Sequence, residues 1–259
     1  MIKQPAIFVS HGAPTVLIEP SSAHDFLSDL GNQLEKPKAI LSVTAHWASR
    51  IPAISVSKTP KTIHDFGNFA DVLYQVDYPA PGDPDLGVKA ANLLNAAGIE
   101  VEMVADRGND HGTWVPLKLA YPAADIPVIQ MSIQPHETAA WHFELGRALR
   151  PLRDDNVLIM ASGAVTHNLR AFFYRESDET PDWVREFVEW VQVAISENNM
   201  DDLLQFEEKA PHASKNHPTI EHFLPLFVAM GAGALEEPGQ RIHHSIEAGV
   251  MAMDAYRFN

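Results

Sequence analysis

Three histidines in this sequence stand where an apolar stretch gives out. Ala6–Ser10 (Ala-Ile-Phe-Val-Ser) runs into His11-Gly12. Residues 39–47 (Ala-Ile-Leu-Ser-Val-Thr-Ala-His-Trp) reach His46, and residues 157–161 lead through Ser162-Gly163 to His167. Each stretch has the near-continuous apolar, partly β-branched character of a strand buried on both faces. Packing gives a strand no reason to end on an imidazole. In parallel α/β sheets the groups that do chemistry collect just outside the carboxyl ends of the strands, so the repeated plan brings three imidazoles to one edge. Such a set suits zinc, iron, nickel or copper. Gly12 and Gly163 beside two of them let a ligand approach the backbone closely. His111 is a further glycine-flanked histidine, in the loop 106–114 ahead of a short helix.

Composition narrows the chemistry of such a site. The 259 residues include thirteen histidines and no cysteine, which excludes disulfides, iron–sulfur clusters and thiolate zinc sites. Any metal is therefore held by nitrogen and oxygen. Nineteen basic against thirty-four acidic residues give a net charge of −15. Phosphate backbones and anionic lipids are repelled by such a surface, so neither nucleic acid nor a membrane is an expected partner. No apolar run approaches the ~20 residues that span a bilayer, and the chain opens without a signal-peptide pattern; the cytoplasm is the expected location. His24, His136, His142, His212, His243 and His244 read as structural, since nothing in the sequence converges on them. Ser10 beside His11 suggests a hydrolytic pair only weakly, because triad members meet through the fold rather than as sequence neighbours. There is no dinucleotide-binding glycine motif, no Walker loop and no nucleophile elbow.

The elements that must position these histidines alternate between strand and helix. Ser21 or Ser22 caps a helix reaching about Glu35, with Phe26, Leu27, Leu30 and Leu34 on one face. A strand follows over 53–57. Residues 59–84 form a long loop rich in proline, glycine and aromatics, including Phe66, Phe69 and Tyr74. It reads either as a lid or as an ordered surface loop packing its own rings. Asp83 caps a helix with Pro84 in its first turn, and strands follow at 101–104 and 128–133. Helices are expected over 137–150 and 182–197, and from Pro218 through Met230, the last carrying His222. The tail, 241–247 and 251–258, alternates enough for two closing strands. The pattern predicts a single α/β domain spanning 1–259, with a mainly parallel sheet, helices on both faces and an antiparallel edge.

A set of local motifs spread along the chain adds a family. Ser-His-Gly-Ala-Pro (10–14), Thr-Ala-His-Trp (44–47), Thr-Ile-His-Asp-Phe-Gly (62–67), Tyr-Pro-Ala-Pro-Gly (78–82) and Asp-His-Gly-Thr-Trp (110–114) make up its first half. Trp-His-Phe-Glu-Leu-Gly (141–146), Ala-Ser-Gly-Ala-Val-Thr-His-Asn-Leu (161–169) and Pro-Thr-Ile-Glu-His-Phe-Leu-Pro-Leu (218–226) complete it. The set resembles the 4,5-DOPA extradiol dioxygenases, within the class III extradiol ring-cleaving superfamily of the protocatechuate 4,5-dioxygenase catalytic subunit. The resemblance implies a three-layer α/β/α domain with one divalent metal at the strand ends. It makes His11, His46 and His222 metal ligands. His167 takes a position that is either a fourth ligand or the acid/base over the bound catechol, and His111 is a second active-site histidine that bonds substrate or oxygen. Extradiol iron sites commonly use two histidines and a carboxylate. Glu221 competes with His222 for the third place, and on a helix the two would point about 100° apart.

The activity so implied is ring opening of a catechol such as DOPA, beside its two hydroxyls, with O2 as co-substrate. Fe(II) is expected for turnover, because zinc binds the same nitrogens but relays no electron. A zinc hydrolase on the same ligands and a non-catalytic metal-binding member of the fold are the alternative readings. A monomer or small homo-oligomer is expected.

Overall fold

Alternation along the strands sets the layers. In β1 (Ala6–Ser10), Ala6 and Phe8 pack on one side and Ile7 and Val9 on the other; β2 (Ala39–Ala48) separates Leu41 and Val43 from Ile40 in the same way. The structure is a computed structural model that describes residues 3–234 and 236–259. β3 (Ala53–Ser55), β4 (Glu102–Val104), β5 (Val128–Ile133), β6 (Val157–Gly163), β7 (Gln240–His243) and β10 (Ala255–Phe258) join β1 and β2 in one sheet, while β8 (Ile246–Glu247) pairs separately with β9 (Met251–Ala252). The order is β4-β3-β5-β2-β6-β1-β10-β7. Its centre, β5-β2-β6-β1, is parallel throughout. Antiparallel joins occur on both flanks, β3 against β5 and β10 against β1 and β7.

Helices cover both faces. The side carrying Ile7 and Val9 packs on α1 (Ser22–Gln33) and, after α2 (Pro84–Ala96) in the chain, on α3 (His111–Ala120). The other side packs on α2, α4 (Ala139–Leu149), α6 (Asp182–Ser196) and α10 (Leu224–Ala232). Between these lie α5 (Leu169–Phe173) and three one-turn helices, α7 (Met200–Leu203), α8 (Phe206–Lys209) and α9 (Ala213–Asn216). Polar side chains fix the helix starts. Ser21, Asp83, Asp110 and Thr138 each accept a backbone N–H of the first turn of α1, α2, α3 and α4. Among the described residues no helix is long and apolar enough to cross a membrane.

The structure departs from expectation in three places. The helix expected from Pro218 begins only at Leu224, and residues 218–223 form turns. Pro225 is the cause: it lacks an N–H and its ring clashes with a preceding helical turn, so it is tolerated only where a helix starts. The two closing strands are four short ones, because the positive φ of Ala248 (49°) and Gly249 (67°) turns the chain between β8 and β9. Buried Asp254, just before β10, takes Arg241 and His244 as partners instead of continuing the ladder. Finally, β2 does not stop at His46; it runs to Ala48, shifting register against β5 after Val43.

Candidate metal centre

The parallel centre of the sheet delivers two of the expected histidines directly. His11 leaves β1 with its amide bonded to the Gly163 carbonyl at the end of β6 (3.0 Å), and His46 lies near the end of β2. His222 arrives from the turn before α10, and the Ala164 amide donates to its carbonyl at 2.8 Å. That strap explains Gly163: a Cβ there would stand 2.1 Å from the His222 oxygen. Gly112 leaves room for two side chains of β2, since a Cβ there would stand 2.6 Å from Thr44 Oγ1 and 2.9 Å from the His46 ring.

The three rings converge through the same atom. His11 Nε2 is 3.0 Å from His46 Nε2, which is 3.3 Å from His222 Nε2, and the donor atoms all lie within 4.8 Å of one another. Nitrogens bound to one metal at about 2.1 Å, and 90–110° apart around it, are themselves about 3.0–3.4 Å apart. The partners of the far nitrogens favour tautomers whose lone pairs face inward. Ser162 Oγ donates to the Gly112 carbonyl, so at 2.9 Å it accepts the Nδ1 proton of His11. Glu221 Oε1, a carboxylate oxygen, accepts Nδ1 of His222 at 3.0 Å. His46 Nδ1 faces Asp65 Oδ2 at the longer distance of 3.7 Å. Burial, and then the neighbouring imidazoles, hold His11 and His222 far below the ordinary histidine range and bring His46 down to about 3. Three neutral imidazoles, oriented by outer partners and presenting lone pairs to one point, fit a divalent metal.

His167 and His111 flank this trio from opposite sides. His167 stacks on His222 with ring centroids 3.5 Å apart, and its Nδ1 lies 3.8 Å from Glu221 Oε1. Its donor atoms group with Glu221 and His222, not with His11 and His46. Burial lowers its pKa despite Glu221. His111, the first residue of α3, gives both its backbone N–H and its Nδ1–H to Asp65 Oδ1, each at 2.9 Å. Burial alone would raise the Asp65 pKa; these hydrogen bonds outweigh it and hold the carboxyl at about 2. Glu221 therefore sits behind His222, on the opposite ring nitrogen from the trio. Because residues 218–223 are turns, helical spacing has no part in separating the two side chains.

A cavity of about 230 Å³ opens over these rings. Phe66 and Phe69 of the long loop line one wall, and Leu169, Phe172 and Phe173 of α5 line another. Tyr74 does not reach the cavity; it backs Phe66, with ring centroids 5.1 Å apart. The histidines with structural readings lie elsewhere. His24 bonds the Val16 carbonyl, His142 takes the Gln134 amide and the Thr138 carbonyl, and His212, His243 and His244 face Glu186, Ser245 and Asp254. His136 lies 3.7 Å from Glu137. Ser10 Oγ accepts the Val165 amide, a strand-end role. Asp65 and Ser162 escaped sequence reasoning. Both lie inside family motifs, yet their contacts with His111 and His11 join residues 46 and 151 positions apart.

A family model described as the catalytic LigB subunit of aromatic ring-opening dioxygenase matches residues 5–258. A 4,5-DOPA dioxygenase extradiol of Beta vulgaris is 40% identical over 255 residues, covering 97% of this chain and 95% of the relative. The protein of the same name from Escherichia coli K12 is 37% identical over 253 residues, covering 97% and 93%. The crystal structure of an uncharacterized protein from Escherichia coli K12 matches with a TM-score of 0.83 at 33% identity, covering 99% of this chain and all of that one.

Proposed function

We propose a division of labour among these histidines in a chain that belongs to the LigB family, the catalytic subunits of aromatic ring-opening dioxygenases. The chain is a metal-dependent extradiol dioxygenase. Our reading of its site is that His11, His46 and His222 hold the metal through Nε2, that His167 is the acid/base, and that His111 orients substrate or oxygen. The observation that carries it is the convergence of three Nε2 atoms whose Nδ1 sides face acceptors. When bound, the metal supplies Lewis acidity toward the two catechol oxygens and, as Fe(II) but not zinc, a route for electrons to O2.

The protein's own groups then do the following. His167 is neutral at working pH because burial lowers its pKa. With Nδ1 turned toward Glu221, it takes the second phenol proton at Nε2 and returns it as the O–O bond breaks. His111 donates Nδ1–H to Asp65, so its Nε2 is an acceptor fixed in one tautomer. Asp65 positions that ring without touching substrate. Phe66 and Phe69 cover the aromatic ring and exclude water. Both atoms of O2 enter the ring-opened product, and the proton borrowed by His167 is restored. The substrate class is a catechol, as in the DOPA of the relatives' names. A net charge of −15 supports a reading without nucleic acid or membrane partners, and our reading further places the enzyme in the cytoplasm as a monomer or small homo-oligomer.

Metal content measured beside rate tests this division. His167→Ala should keep its metal and lose about 10²–10⁴-fold in turnover. His222→Ala should lose both. Loss of metal from His167→Ala would make that residue a ligand; full activity would remove it from the chemistry.

A further inference from the structure

We infer that the cavity selects a catechol whose ring substituent is neutral and apolar, in preference to one bearing a carboxylate, an ammonium or both. The inference rests on the ring-opening reading above and names the substrate class within it.

Its first support is the wall provided by α5. None of the five residues of α5 is buried: Leu169 is 50% exposed and Phe173 67% exposed, and both line the cavity together with Phe172. Exposed apolar side chains gathered at the mouth of a functional cavity mark a surface meant to be covered. Met251 and Met253 continue the apolar lining, and thioethers adapt to aliphatic or aromatic groups of varied shape.

The second support is charge. Among the described residues, no lysine or arginine lines the cavity. The guanidinium of Arg175 lies 4.9 Å from the Phe172 ring but outside the lining, where it donates to Asp178 (2.9 Å) and to the Phe172 carbonyl (2.7 Å). The carboxylates closest to the pocket histidines are Asp65 and Glu221, which would repel an anionic substituent. Neither Asp65 nor Glu221 lines the cavity itself, so a substrate ammonium inside it meets the ring faces and not a carboxylate. Asp65 Oδ1 accepts two bonds from His111, and Glu221 Oε1 accepts bonds from His222 and Thr219. A charged substituent inside the cavity would thus lose water with no oppositely charged side chain in the lining to replace it, whereas a propyl or aryl group would cover Leu169 and Phe173. A zwitterionic side chain such as that of DOPA meets both penalties.

Three catechols with substituents of equal length test this: 4-propylcatechol, 3-(3,4-dihydroxyphenyl)propionate and dopamine. Their affinities are measured by calorimetric titration of the zinc-loaded protein, which does not turn over. 4-Propylcatechol should bind about 10-fold or more tightly than either charged analogue, the expected consequence of partly burying an unpaired charge. Leu169→Arg, a half-exposed position that tolerates the change, should tighten the propionate and weaken the propyl compound. Equal or tighter binding of a charged analogue by the unaltered protein overturns the inference, as does failure of all three to bind. An unchanged order in Leu169→Arg removes α5 as the selecting wall. Oxygen uptake by the Fe(II)-loaded enzyme on the same compounds is read separately. Binding in the expected order with no ring opening would sink the catalytic reading and leave the selectivity standing.

Discussion

Gly163→Ala should strip the metal from a protein that still folds. Gly163 closes β6, and a Cβ at that position would lie 2.1 Å from the His222 carbonyl oxygen and 3.1 Å from its carbon. Ordinary contact to a carbonyl oxygen needs about 3.2 Å or more, so backbone must yield by about 1 Å. The β6 side is held by pairing to β1 and β2 on either flank. The His222 side is a turn, fixed there by the Ala164 amide at 2.8 Å. The turn is therefore the part that moves, carrying His222 Nε2 away from His46. Metal–ligand distances tolerate only about 0.2 Å, so a displacement several times larger removes one of three ligands. Affinity for zinc or Fe(II), read by competition with a chromogenic chelator, should fall by about 100-fold or more, the effect expected when a ligand rather than its outer partner is lost. The overpacking itself should cost about 1–3 kcal/mol of stability, measured by denaturant titration of the metal-free protein. Gly67→Ala is the control, since a Cβ there meets nothing within 4 Å. Metal affinity in Gly163→Ala within a few-fold of the parent protein would refute the argument that this glycine seats His222.

Three further outcomes follow from the same geometry. Glu221→Gln keeps an acceptor near His222 Nδ1 but removes its charge, and should weaken metal binding by about 10–100-fold without abolishing it; unchanged affinity would mean that the 3.0 Å contact does not support the ligand. Asp65→Asn should leave metal content intact while lowering kcat by about 10–100-fold through a misoriented His111, with Asp65→Glu restoring part of the rate; loss of metal would instead place Asp65 in the coordination sphere. His142 is buried, and burial brings its pKa from 6.5 down to about 4. Below about pH 6.5 the unfolded chain takes up a proton that the folded chain refuses, so this contribution is complete above pH 6.5 and lost progressively toward pH 4. At about 1.4 kcal/mol per pH unit it amounts to about 2 kcal/mol lost by pH 5. His142→Gln should flatten that part of the stability profile in denaturant titrations, and an unaltered slope would contradict it.

How much of this could be read from the sequence depended on where each residue sits. His11 and His46 were legible because buried parallel strands leave a run of apolar residues that an imidazole interrupts, and such strands end at one edge. His167 followed the same rule to that edge, but its distance from the trio is set by the loop after β6, and no periodicity encodes that. His222 comes from a turn, and only its motif singled it out; the apolar run through Met230 suggested a helix that Pro225 delays. The central sheet and its flanking helices followed from alternating strand and helix signals. The tail did not, since its breaks depend on positive φ at Ala248 and Gly249 and on the buried charge of Asp254. Asp65 and Ser162 were beyond reach for another reason: a residue that orients a ligand from behind is recognisable only by its contact.

A histidine-held metal in this chain should open a catechol ring with O2. The decisive measurement loads the metal-free protein anaerobically with one equivalent of Fe(II), adds a catechol, and follows oxygen consumption beside the product mass. One O2 should be consumed per catechol, the ring-opened product should be heavier by both oxygen atoms, and uptake should vanish when zinc replaces iron. Oxygen-independent turnover that persists with zinc would contradict this reading, as would Fe(II) bound at full occupancy with no catechol-dependent oxygen uptake.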